Sequence, residues 1–307
     1  MKTILFGNGL NLLNGYSTWE DLLVNIDDKK DDVKIPNTLQ FEAEILPLPE
    51  KKIEPLFFDK EIVTYDDESV TRKINTETIL KAKIAEAMLQ YDSNEIYQRI
   101  AEMKDVSHYV TTNYDDVLKR TLLDMYYHEH EHIKNEITYS LRRRYTLDYA
   151  GAEKHIWNIH GEIDLPQTIM LGLNQYCGSV SKISDYLNGK YEFKQDKQKV
   201  VIPKIQERLR DGIKTPLSWI DLFFISDIYI MGFSMLYEEI DLWWILTRRK
   251  RLMRQGANVN NRIFYCGDIK PGKRQLFRTM DVEIIEPDPK AVDYKDKYHS
   301  IFDKIEG

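Results

Sequence analysis

Two cysteines, Cys177 and Cys266, are all that the 307 residues contain. That is too few for a disulfide framework, and a four-cysteine zinc module cannot be built from them. No apolar stretch approaches the roughly 20 residues that a membrane-spanning helix needs. The run Lys2-Thr3-Ile4-Leu5-Phe6 is too short for a secretory signal, and no small-residue cleavage site follows it. Positive charge is in deficit, with 43 Lys and Arg against 50 Asp and Glu and a net charge of −7. A general nucleic-acid binder needs a basic face to release counterions, so direct nucleic-acid binding is not expected. The basic runs Arg142-Arg143-Arg144 and 248–254 read as solvated helix faces. Together these absences predict a soluble cytoplasmic protein with no membrane partner.

What the chain does have is aromatic bulk. Nineteen Tyr and five Trp argue for a packed core rather than disorder. Short apolar runs alternate with helical patterns. Strands are expected at 4–6, 108–112, 155–159, 168–171, 227–231, 262–266 and 282–285. Helices are expected after Ser17 or Thr18 (carrying Trp19, Leu22, Leu23 and Ile26), at 76–91, 94–103, 115–127, 131–144, 238–255 and 290–305. The long helix from Glu238 begins acidic, ends basic and is followed by Gly256, as the macrodipole and a glycine cap favour. Residues 33–70 show no sustained period and read as irregular with one short strand pair; 179–212 read as polar helix with a loop near Gly189. Strands alternating with helices predict an α/β fold, a Rossmann-like and mostly parallel sheet with helices on both faces. One domain over 1–307 is expected, with helical insertions at about 33–105 and 179–220.

Four expected strand ends carry polar or small residues. Gly7-Asn8-Gly9 at a strand-to-helix turn suits a pyrophosphate, because backbone N–H groups can approach it and the helix dipole favours the anion. It could equally be a tight structural turn. Leu12 stands where the dehydrogenase fingerprint wants a third glycine, which argues against hydride transfer. Thr111-Thr112-Asn113-Tyr114-Asp115 offers hydroxyls, an amide and a carboxylate, or else a helix cap by Asn113 or Asp115. Ile159-His160-Gly161 offers a base near neutral pH, or a structural histidine. Gly232-Phe233-Ser234 is a fourth end, or a simple turn into the long helix. His128-Glu129-His130-Glu131-His132 has metal-ligand spacing but no apolar wall, and reads as a solvated helix or helix junction.

Taken in order, these pieces resemble the sirtuin-like superfamily, and within it the bacterial sirtuin-like NAD hydrolases of antiphage defence. The carriers are Gly7-Asn8-Gly9, residues 111–115, Ile159-His160-Gly161 and Gly232-Phe233-Ser234, with Ile169-Met170-Leu171 through Tyr176 alongside. The stretch Asn8-Gly9-Leu10-Asn11-Leu12-Leu13-Asn14-Gly15 is also similar to the AbiH abortive-infection proteins. Sirtuin deacylases carry a four-cysteine zinc module and a Pro-Asp-Phe-Arg run in the first loop. Neither is present here, so the resemblance implies NAD cleavage rather than deacylation.

It further implies a site. Gly7, Asn8, Gly9, Asn11, Thr112, Gly161, Gly232 and Ser234 would hold NAD. Asn113 would position the ribose hydroxyls and water, His160 would take a proton, and Asp115 would contact the nicotinamide amide or stabilise the developing cation. NAD is the implied substrate, and no metal is required. A homo-oligomer or a companion defence protein is the implied partner, with activity gated by a trigger and abortive infection by NAD depletion as the outcome. The competing expectations are a nucleotide-sensing module that does not cleave and an interaction subunit; the Trp243-Trp244 pair and both insertions suit the latter.

Overall fold

The computed structural model describes residues 1–16, 36–45, 76–134, 136, 138–195 and 198–306. Its strands are β1 (Lys2–Phe6), β2 (Val106–Thr111), β3 (His128–Ile133), β4 (Arg144–Tyr149), β5 (Ala152–Asn158), β6 (Glu192–Gln195), β7 (Gln198–Val201), β8 (Asp227–Met231), β9 (Ile263–Cys266) and β10 (Val282–Ile285). Its α-helices are α1 (Asn37–Ile45), α2 (Thr76–Met88), α3 (Glu95–Glu102), α4 (Val117–Asp124), α5 (Leu173–Leu187), α6 (Ile205–Asp211), α7 (Trp219–Ile225), α8 (Ile240–Arg254), α9 (Pro271–Thr279) and α10 (Tyr294–Glu306). Eight strands form one sheet in the order β10-β9-β8-β1-β2-β5-β4-β3, and β6-β7 form a separate hairpin. From β10 to β5 every pairing is parallel; the β5-β4 and β4-β3 pairings are antiparallel, so β4 alone is reversed. The fold is the expected Rossmann-like α/β sheet.

Alternation along each strand explains why helices cover both faces. In β1, Ile4 and Phe6 join one core cluster and Leu5 the other. In β8, Tyr229 and Met231 face the first cluster while Ile228 and Ile230 face the second. Apolar residues on both faces are the mark of a buried parallel strand. The first face is covered by α2, α3, α4 and α10 through residues such as Ile84, Tyr97, Leu122 and Phe302. The second is covered by α5 to α9 through Tyr186, Leu209, Phe223, Ile245 and Phe277. Within the segment 33–105, α3 packs directly on the sheet. Its Tyr97 ring meets Phe6 edge-on at 5.9 Å, and Asn94 caps the helix by accepting from the backbone of Ile96 and Tyr97.

The structure corrects several expectations. Residues 128–133 form an edge strand, not a helix, and the expected helix over 131–144 is replaced by the end of β3 and the turns leading to β4. Nor is this segment wholly solvated. The His132 side chain is 6% exposed, its Nε2 lies 3.0 Å from Glu162 Oε1, and its ring stacks on Tyr145. The expected strand at 168–171 is a 3-10 turn at Pro166–Thr168 followed by extended chain. Beyond Gly189, the expected polar helix is the β6-β7 hairpin and the short α6. The turn after β1 runs into a 3-10 helix, Asn8–Asn14. Within 33–70, α1 is helical. The helix after Ser17 and the strand pair within 33–70 lie outside the described residues.

β1 is the point from which the chain winds both ways, to β2 and β5 on one side and to β8, β9 and β10 on the other. A crevice opens at such a switch point, beyond the carboxyl ends of the strands. Its two sides are tied together there, because the Gly9 N–H donates to the Gly232 carbonyl at 2.7 Å. A Cβ on Gly9 would lie 2.6 Å from that same oxygen. Gly9→Ala is therefore expected to cost about 1–3 kcal/mol through overpacking, read as a lower midpoint in chemical denaturation. An unchanged midpoint would refute the close approach.

Candidate active site at the strand ends

A cleft of about 520 Å³ lies over the carboxyl ends of β1, β2, β8 and β9. That size is typical of small-molecule sites. Of the residues singled out in the sequence, Asn8, Gly9, Thr112, Asn113, Asp115, His160, Gly232 and Ser234 all line it. Gly7, Asn11 and Gly161 are not among the lining residues; each supports the wall from behind. A Cβ on Gly7 would press on Phe233 and Thr112. Gly161 has φ +114° and sits so close to Ile169 that a Cβ would lie 2.6 Å from its Cα.

Asn11 is fully buried. Its Nδ2 donates to Asp115 Oδ2 at 2.8 Å and to Asn8 Oδ1 at 3.0 Å. Its Oδ1 accepts from the Tyr97 hydroxyl, which lies 3.4 Å from Asn113 Nδ2. The other Asp115 oxygen accepts from the Val117 N–H at the start of α4. The N-cap position itself is Asp116, which makes no side-chain cap bond; Asp115, one residue earlier, satisfies the first helical N–H and ties the β1 turn to the β2 loop. Burial pushes its pKa up, partly offset by the Asn11 and Val117 hydrogen bonds. With both oxygens accepting from the protein, Asp115 is placed to act on the cleft through its charge.

His160 sits at the centre of a cluster that sequence reading missed. Its Nε2 lies 3.0 Å from Asp241 Oδ2, and its Nδ1 lies 3.8 Å from Glu239 Oε2. Ser179 Oγ also donates to Asp241 Oδ2, at 3.3 Å. The Tyr176 ring stands edge-on to the imidazole at 5.2 Å, and the His160 carbonyl accepts from the Met170 N–H. Burial opposes a charge on this imidazole, yet Asp241 and Glu239 together outweigh it and raise the His160 pKa. Glu239 lines the cleft, and its Oε2 has no hydrogen-bond partner. Burial pushes its pKa up to about 7, against the pull of His160 and with help from Asp241 and Glu238. Glu239 therefore titrates near neutral pH, coupled to the imidazole beside it.

The signal for Asp241 and Glu239 was visible in outline. Glu238-Glu239-Ile240-Asp241 puts three acids shortly after Gly232-Phe233-Ser234, beyond Met235-Leu236-Tyr237. As the acidic start of a helix they satisfied the macrodipole, so nothing in the pattern asked for a second role. The far wall of the cleft, from Tyr265 to Asp268 and from Tyr294 to Ile301, carries no motif at all. His160, Glu239 and Asp241 also hold ligand atoms within 4.8 Å of one another, the one group among the described residues that could hold a metal ion.

No protein-family model matches the chain, and no curated protein matches it.

The raised pKa of Glu239 fixes a sign. Its folded value is above the unfolded one, so its contribution to stability is complete below about pH 4.5 and is lost as pH rises through about 7. His160, also raised, acts in the same direction. Glu239→Gln is expected to flatten the fall in stability between pH 5 and 8, an effect of no more than about 3 kcal/mol. Parallel denaturation curves at both pH values for wild type and variant would contradict it.

Proposed function

We propose that the cleft binds NAD and cleaves its nicotinamide–ribose bond with water, yielding nicotinamide and ADP-ribose. The observation that carries this reading is the His160–Asp241 pair, set beside Asn113 in the same cleft as the Gly9 and Gly232 turns. The motifs of the resemblance, distant in sequence, line one cavity with a base in it.

The geometry and the resemblance together support the following division of labour. The backbone turns at Asn8-Gly9 and Gly232 offer close approach for the pyrophosphate. As the glycosidic bond breaks, positive charge develops on the ribose, and the carboxylates of Asp115, Glu239 and Asp241 favour it. Asp241 holds Nε2–H, which fixes the tautomer and leaves Nδ1 on the side of Glu239. Water attacks the anomeric carbon while nicotinamide leaves as a neutral base. The proton lost by that water passes to the His160–Glu239 pair. Asn113, held at the cleft wall beside Tyr97, orients the ribose hydroxyls and the water. By the same motif resemblance, the reaction would serve as a gated effector of antiphage defence, alone as an oligomer or with a companion protein.

Incubating the purified chain with NAD and resolving the products tests this. Nicotinamide and ADP-ribose should form in equal amounts. His160→Ala and Asn113→Ala should each lower the rate by about 10²–10⁴, the worth of one positioned proton-transfer group. Asp241→Asn should lower kcat more than it changes KM, since it acts through the imidazole. Saturable NAD binding with no nicotinamide release, alike in wild type and His160→Ala, would instead support a nucleotide sensor.

A further inference from the structure

A second concavity, of about 670 Å³, opens at the other end of the sheet, where β9 and β10 begin. It is lined by Arg249 of α8, Arg262 at the start of β9, and Arg274 and Arg278 of α9, along with Asp281 and Glu283. The balance of charge there is unlike that of the whole chain, which carries −7. Arg274 is ion-paired to Glu286, and Asp281 is ion-paired to Lys250. That leaves the guanidinium groups of Arg249, Arg262 and Arg278 with no carboxylate in ion-pair contact among the described residues, against Glu283 alone.

Arg249 is the unusual member. It is 1% exposed and no carboxylate is in ion-pair contact with it, although Asp281 and Asp227 lie near enough to favour its charge. Its Nε donates to the Phe223 carbonyl at 2.9 Å, and its Nη2 donates to the carbonyl and side-chain oxygen of Asn261. Its Nη1 has no partner. A buried cation held only by neutral acceptors is costly unless an anion completes it. At the rim, Arg262 lies over the Phe264 ring at 4.9 Å, which orients its planar fork without using its donors. Arg278 projects from the exposed face of α9. Guanidinium forks match the paired oxygens of a phosphate, and a groove of this size holds a small molecule rather than a chain.

We propose that this groove binds a phosphorylated small molecule through Arg249, Arg262 and Arg278, independently of the reaction assigned to the strand-end cleft. The phosphate is the recognised group, whether free or part of a nucleotide, because the groove offers its guanidinium forks and no open aromatic surface for a base.

Titration of the full chain with inorganic pyrophosphate, and separately with a nucleoside diphosphate, tests it by calorimetry at low and moderate salt. Both probes should bind saturably and similarly, more weakly as salt rises. Arg262→Glu/Arg278→Glu changes only exposed side chains and should keep the wild-type melting temperature. It should lose about tenfold or more in affinity for both probes; Arg262→Ala/Arg278→Ala should fall between. Amide-exchange protection should appear at 260–264 and 278–284. If neither probe binds at millimolar concentration, if the double variant binds as wild type does, or if protection is confined to the Gly7–Gly9 turn, the groove is not a phosphate site. A nucleoside diphosphate that binds far tighter than pyrophosphate, in both wild type and double variant, would place the binding in the strand-end cleft instead.

Discussion

Everything in this molecule hangs on β1 being paired in parallel on both edges. Five residues from Lys2 to Phe6 register with β2 on one side and β8 on the other. A parallel strand so placed must be apolar on both faces, which fixes Ile4, Leu5 and Phe6. It must also end in a turn that clears two neighbours, which fixes Gly9 beneath the Gly232 carbonyl. The cleft is the space left over when those requirements are met. Its polar lining comes from loops that the sheet holds still rather than from the sheet itself.

Set against that apolar frame, the charges around His160 are expensive. Asp241 is fully buried and His160 is 1% exposed, with a second carboxylate close by. Hydrophobic residues of similar volume would usually hold such a position at least as well. A fold that keeps an imidazole between two carboxylates has gained, in Glu239, a carboxyl that burial brings to titrate near neutral pH. The Asn11–Asp115–Tyr97 network is a quieter counterpart. Most of its hydrogen bonds are spent within the protein, so it gives position rather than reactivity.

How much of this could be read from residues alone depended on how each element meets solvent. β1, β8 and β10 are short apolar runs, and their ends were legible to within two residues. The edge strand β3 was not, because His128 to Glu131 are exposed polar residues with little strand preference, and only pairing with β4 makes them a strand. β4 was hidden behind three arginines that looked like a solvated helix. In the cleft, strand-end motifs marked the glycines, Asn113 and His160. Asp241 was disguised, since one carboxylate at a helix start already has a sufficient reason to be there. Its second role exists only in three dimensions, 81 positions from the histidine it holds.

The order of the strands has one more consequence, and it concerns synthesis. β1 is made first, but its partner β8 lies 225 residues later. The Gly232 carbonyl, Ser234, Glu239 and Asp241 all follow β8 in the chain. A nascent polypeptide carrying β1, β2 and β5 already owns Asn113 and His160, but the imidazole has no carboxylate beside it and the glycine turn has no opposite wall. The His160–Asp241 contact is thus withheld until the far half of the sheet has closed on β1. Such long-range pairing is intrinsically slow, so the cleft is among the last parts of the fold to be completed.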